Sequence, residues 1–165
     1  MSIRDSGATR LRSLHPSPAN GTGRPLLGLH DYGRLEVAAF QELDLLSPMR
    51  PRLARLLSEA RVVPSPEIPA NVITLGTTVR YRVDGDRMER RVLTLGREYV
   101  PSGQYVSVLT PVGLALLGRT PGETVEAETF TGDILRIAIS MLEHQPEAEA
   151  RARSLGGHDD GPEAA

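Results

Sequence analysis

Four histidines, His15, His30, His144 and His158, are the side chains of this 165-residue chain best suited to proton transfer or metal ligation near neutral pH. They are scattered through tails and element ends, and none has a partner at metal-ligand or catalytic spacing. With no cysteine there is no thiolate ligand, no thiol nucleophile and no disulfide framework. Ser107 lacks the His and Asp companions that would activate it. Gly113, Gly118 and Gly122 are helix and turn glycines, and no Gly-rich phosphate loop follows a strand. The acids Glu42 and Asp44 are the carboxylates that could hold a divalent cation with hard oxygen ligands. Two positions apart on a helix, they point about 200° apart and converge only if the helix unwinds there. Arg50, Arg52, Arg55 and Arg61 form a cationic group whose guanidinium forks match carboxylates. The inventory describes a binding module, with no catalytic residue, no cofactor and no metal.

The elements that must position these groups can be placed from pattern. Asp31 can cap a helix beginning at Tyr32, along which Tyr32, Leu35, Ala39, Leu43 and Leu46 make one apolar stripe. Ser47-Pro48-Met49-Arg50-Pro51 breaks that helix, and Pro51 can start a second, striped by Leu53, Leu56, Leu57 and Ala60. The two stripes predict an antiparallel helical hairpin, a short coiled coil, with Arg52, Arg55 and Arg61 on its outer face. Val63 to Pro69 is a stiff proline-rich hinge between hairpin and sheet. Beyond it, Val79, Tyr81 and Val83 alternate with polar residues, Asp84-Gly85 signals a hairpin turn, and Arg91 to Leu95 returns. Gly96 to Gly103 is a loop and Tyr105 to Leu109 a further strand. Thr110 caps a short apolar helix, Pro111 takes its first position and Gly118 follows its end. Two more strands follow, around Val125 to Thr129 and Leu135 to Ile139.

The predicted fold class is therefore α+β: a helical hairpin over residues 26–63, then an antiparallel sheet domain over 64–145 with one short covered helix. Residues 1–25 and 146–165 are rich in Ser, Gly, Pro and charge and are expected to be disordered tails. Hydrophobic content of 39% with 4% aromatics suits a modest core of Leu, Val and Ile. A formal charge of −2 supplies no field for nucleic acid or an anionic membrane, so neither sequence-specific nucleic-acid binding nor a membrane partner is expected. The start lacks the apolar run of a signal peptide and no run of 18 apolar residues occurs, which predicts a cytoplasmic protein. Oligomeric state has no signature.

Thr110-Pro111-Val112-Gly113-Leu114-Ala115-Leu116-Leu117-Gly118, followed by Pro121-Gly122-Glu123-Thr124-Val125, resembles the core motif of the Gre transcription-factor C-terminal domain. The upstream run Val62 to Leu75 is similar to the Rnk branch, the regulators of nucleoside diphosphate kinase, and Tyr32 to Leu35 and Glu143 to Glu147 fit that branch's beginning and end. The resemblance covers roughly residues 27–147. It implies an FKBP-like C-terminal domain and binding to bacterial RNA polymerase, with that domain at the rim of the secondary channel and the hairpin projecting inward. It further implies docking through Thr110, Pro111 and Val112, with Arg50, Arg52 and Arg55 contributing from the hairpin. Gre factors carry tip acids that position a metal for cleavage of backtracked RNA. Here each helix of about 11 to 15 residues spans roughly 16 to 22 Å, a stub, and the tip SPMRP lacks clustered acids.

The first function expected is thus a non-enzymatic transcription regulator that competes with Gre cleavage factors at the channel entrance. A cleavage stimulator using Glu42 and Asp44 is the second. A peptidyl-prolyl isomerase, which FKBP-like folds often are, is the third. Its proline cradle needs aromatic walls, and the chain has only Phe40, Phe130 and four dispersed tyrosines.

Overall fold

The computed structural model describes residues 23–96 and 103–157. A short strand, β1 (Leu26–Gly28), pairs in parallel with β2 (Arg61–Val63), and the helical pair lies between them in sequence. Helix α1 (Leu29–Val37) continues into a π-helical turn (Ala38–Glu42), and α2 (Met49–Glu59) returns. Leu35, Ala38, Ala39 and Leu43 meet Met49, Leu53 and Leu57 within one buried cluster. Five further strands form a sheet in the order β5-β4-β3-β7-β6: β3 (Thr78–Val83), β4 (Glu89–Thr94), β5 (Tyr105–Ser107), β6 (Thr124–Glu128) and β7 (Ile134–His144). Helix α3 (Pro111–Leu116) lies between β5 and β6 in sequence. Its Leu114 and Leu116, with Leu117 just after it, join Val79, Leu93, Val125 and Ile137 in the same core. Each large apolar side chain fully buried there contributes roughly 1.5–3 kcal/mol. The architecture is α+β.

Several expectations are corrected. The first helix starts at Leu29 on Gly28, and Asp31 does not cap it. Its stripe ends at Leu43, because the chain turns outward there and leaves Leu46 92% exposed. The second helix starts at Met49, two residues before Pro51. The sheet is not wholly antiparallel, since β4 and β5 run in parallel. A parallel neighbour needs a connection that carries the chain back to its starting edge. Most of the loop expected between β4 and β5, residues 97–102, lies outside the described residues. So do 1–22 and 158–165 of the expected tails.

The segment after Gln145 is a helix, α4 (Pro146–Gly156), up to Gly156. Pro146 at its first turn and the acids Glu147 and Glu149 favour its start. Glu149 pairs with Arg153 at 3.0 Å one turn on. Polar contacts anchor it: Arg151 donates to the carbonyls of Pro66 (3.0 Å) and Ile68 (2.7 Å), and the Thr74 hydroxyl donates to Glu147 (2.7 Å). The proline-rich segment is accordingly a seat for α4.

Gly118 is a knot of the fold. Its carbonyl accepts from Leu26 N–H (3.2 Å) and its own N–H donates to the Ile73 carbonyl (2.9 Å). A Cβ there would stand 2.7 Å from Pro25 Cβ and 2.8 Å from Leu26 N, so only glycine lets the strand leading into α1 lie this close.

Asp31 is buried and accepts the Leu75 N–H at 3.0 Å, joining α1 to the approach to β3. Burial pushes its carboxyl above the usual range, the Leu75 N–H opposes this, and the neighbouring Glu147 adds to the rise. A raised acid binds its proton more tightly folded than unfolded, so its stabilising contribution is present below the ordinary value near 3.8 and is lost as pH rises through the folded value. Asp31→Asn keeps an acceptor for Leu75 without the charge. Thermal melting across acidic pH is expected to show a flatter profile for the variant and a relative gain near neutrality.

Candidate partner-binding groove

The groove on the α2 side of the sheet is built from α3 outward. Thr110 takes extended backbone, and its hydroxyl oxygen accepts from Gly113 N–H (3.2 Å) while donating to the Ser107 carbonyl (2.6 Å). This is an N-cap with its own anchor, and it fixes where Pro111 stands. Thr110 is exposed, Pro111 half-buried, and Val112 half-buried against the core. Pro111, Leu114 and Ala115 form one wall of a groove of about 290 Å³. Arg52, Arg55 and Leu56 of α2 form another, and Arg119 with Val125 to Glu128 of β6 closes it. The groove thus joins Pro111 to two of the hairpin arginines, with an apolar floor and a rim in which Arg52, Arg55 and Arg119 stand with Glu126 and Glu128. Thr110 and Val112 flank it in sequence.

The arginines differ in how free they are. Arg52, expected on a solvated face, donates instead to the carbonyls of Glu128 and Thr129, and its guanidinium stands 5.3 Å from the centre of the Phe130 ring. It is the strut holding α2 to the β6–β7 turn, and the cation–π contact adds roughly 0.5–1 kcal/mol at such an exposed site. Arg50 donates to the Leu43 carbonyl at 3.1 Å, closing the connection between the helices. Arg55 meets Glu59 one turn on at 3.0 Å and keeps 79% of its side chain exposed, so of Arg50, Arg52 and Arg55 it is the one available to a partner. Arg61 is exposed on β2. Residue pattern alone missed Arg119 and the β6 wall; the signal was that both follow directly on the Gly118 and Pro121-Gly122 turns.

The tip acids stand in different surroundings. Asp44 accepts the Leu46 N–H at 2.8 Å in a local turn, whereas Glu42 ends the π-helical turn beside Arg34 and Leu95. Among the described residues no group of three His, Cys, Asp or Glu side chains could hold a metal ion. Among them, too, no helix is long and apolar enough to cross a membrane. The site brings a capped helix, an apolar floor and a rim of mixed charge together at one edge of the sheet.

Comparison with known proteins names the family. Residues 68–143 match the family described as the C-terminal domain of the transcription elongation factors GreA and GreB. Over 128 residues the chain is 30% identical to the regulator of nucleoside diphosphate kinase of Escherichia coli K12, an alignment covering 76% of this chain and 94% of that protein. It is 29% identical over 105 residues to transcription elongation factor GreA of Roseiflexus castenholzii, covering 63% of this chain and 66% of that one. A solved GreA/GreB elongation factor from Nitrosomonas europaea is 33% identical with a TM-score of 0.59, covering 73% of this chain and 98% of that one. The chain belongs to the Gre transcription-factor superfamily, in its Rnk-like branch.

Proposed function

We propose that this protein is a non-enzymatic regulator of transcription that binds bacterial RNA polymerase at the secondary-channel entrance and competes there with Gre cleavage factors. The observation that carries the reading is the groove joining Pro111, in the motif shared with Gre C-terminal domains, to Arg52 and Arg55 on α2. In this reading the sheet unit is the FKBP-like docking domain, and the helical pair is a stunted counterpart of the Gre coiled coil. Helix α2 has 11 residues, about 16 Å of rise, which is too short for a probe through the channel. With Asp44 engaged in its own turn, the tip has no convergent carboxylates to position a metal. The expected result with backtracked elongation complexes is no transcript cleavage from this protein alone, and dose-dependent inhibition of cleavage stimulated by a Gre factor. Cleavage that disappears in a Glu42→Gln, Asp44→Asn variant would reverse the reading.

A further inference from the structure

The chain that precedes the described residues meets the groove at its rim. Gly23 is the first described residue, and its carbonyl accepts at 2.5 Å from Arg119, a side chain that itself lines the groove. Arg24, the next residue, donates at 2.8 Å to the Glu59 carbonyl at the end of α2, the helix that gives Arg52, Arg55 and Leu56 to another wall. Residues 1–22 are therefore tethered beside the site.

The rim as a whole offers no net field, because three arginines stand there with two glutamates. What differs is how each group is engaged. Arg52 donates to the carbonyls of Glu128 and Thr129, Arg119 to that of Gly23, and Arg55 pairs with Glu59. The carboxylates are freer: Glu126 faces Arg136 only at 4.0 Å, and Glu128 uses its backbone carbonyl, with no donor to its carboxylate among the described residues. Both are exposed and stand two positions apart on β6, so alternation puts them on one side of the strand and the buried Ala127 on the other. Val125, Leu114 and Leu56 continue the apolar surface beside Ala127.

The tethered segment carries the matching pattern. Arg10 and Arg12 flank Leu11. An extended stretch there presents two guanidiniums on one side, at the spacing of Glu126 and Glu128, and an aliphatic side chain on the other. Leu14 adds a second apolar side chain on the way to the tether. Twelve positions separate Leu11 from Gly23, a reach of roughly 40 Å at full extension, and Gly23 already touches the rim. A tether of this kind holds the segment at an effective concentration of about millimolar, so weak exposed pairs suffice to seat it.

We propose that the N-terminal segment of the same chain occupies the groove, with Arg10 and Arg12 on Glu126 and Glu128 and Leu11 on the apolar floor. The chain thus carries its own competitor for the site. The selection is by local pairing along β6 and by the point at which the segment joins the fold, not by overall charge. Occupancy by the segment and by a partner are mutually exclusive, so a partner meets only the fraction of molecules in which the groove is open. That regulatory consequence rests on the groove being the polymerase site, whereas the docking itself does not.

The test is paramagnetic broadening of amide signals in the full-length chain. The sequence has no cysteine, so Ala8→Cys gives a nitroxide a single point of attachment. The amides of Ala115, Val125 and Ala127 are expected to broaden, and those of Arg151 and Ser154 in α4 to stay sharp. Arg10→Glu with Arg12→Glu should lower the docked population roughly tenfold, and adding Glu126→Arg with Glu128→Arg should restore it. The tail substitutions alter no described residue, so they leave the fold to report. No broadening at the groove, broadening spread evenly over the surface, or broadening that the charge reversal leaves unchanged would overturn the proposal. So would equal broadening with nitroxide and isotope on separate chains, the result that assigns the segment to a second copy. Leu11→Asp with Leu14→Asp should also raise affinity for core polymerase several-fold. Docking at the groove with unchanged polymerase affinity would count against the polymerase reading alone and leave this proposal standing.

Discussion

Gly113→Ala is expected to cost about 4 kcal/mol or more, enough to unfold a domain of ordinary stability. A Cβ at position 113 would stand 1.9 Å from the Ser107 carbonyl oxygen and 2.5 Å from its carbon. Both are backbone atoms, so no side chain can swing aside. The Ser107 carbonyl also cannot retreat, because it accepts the Thr110 N–H (3.1 Å) and the Thr110 hydroxyl (2.6 Å) that start α3. The methyl group would therefore dislodge the cap, the helix and the Leu114–Leu117 segment of the core together. Gly33→Ala is the matched control: in α1, with nothing within 4 Å of the added methyl, it should stabilise by roughly 1 kcal/mol through helix propensity. Chemical denaturation of both variants checks the pair. Similar small effects would show that α3 does not start against Ser107 as described.

The double variant Arg55→Glu, Pro111→Glu is expected to weaken polymerase binding roughly a hundredfold, ~2.7 kcal/mol, with little change in folding. Arg55 contacts Glu59 alone on its own helix, so reversing its charge removes no tertiary strut. Glutamate in the first turn of α3 is compatible with the helix dipole. At the groove the same changes put carboxylates in place of one apolar wall residue and one of the three rim arginines, beside the Glu126 and Glu128 already there. Arg52→Ala would be a poorer probe, since it also frees the β6–β7 turn from α2. Titration of labelled protein against core enzyme reads the effect. Unchanged affinity would remove the groove from the account.

What the sequence made legible follows from where each interaction is encoded. Helix α3 was readable because Thr110, Pro111 and Gly118 punctuate it locally, and the β3–β4 hairpin because Asp84-Gly85 supplies its turn. Helix α4 was not, because it buries no residue and so carries no apolar period; its anchors are Arg151 and Glu147, whose partners lie 83 to 85 and 73 residues away. The roles of Asp31 and Arg52 were hidden for the same reason, with partners 44 and 76 to 77 residues distant. Local pattern offered Asp31 a cap and Arg52 a solvated face, and tertiary donors and acceptors outcompeted both. The three-residue strands β1 and β2 are too short to show alternation. The groove was half legible: the motif pointed to Pro111, but its β6 wall exists only once the sheet edge is folded against α2 and α3.

The most direct test of the central claim is competition for purified bacterial core RNA polymerase between this protein, fluorescently labelled, and an unlabelled full-length Gre factor at moderate salt. Binding at the secondary-channel entrance predicts saturable binding that the Gre factor displaces fully, with the Arg55→Glu, Pro111→Glu protein failing to compete in the reverse titration. Saturable binding that the Gre factor leaves untouched, or no binding at micromolar concentrations, would contradict it.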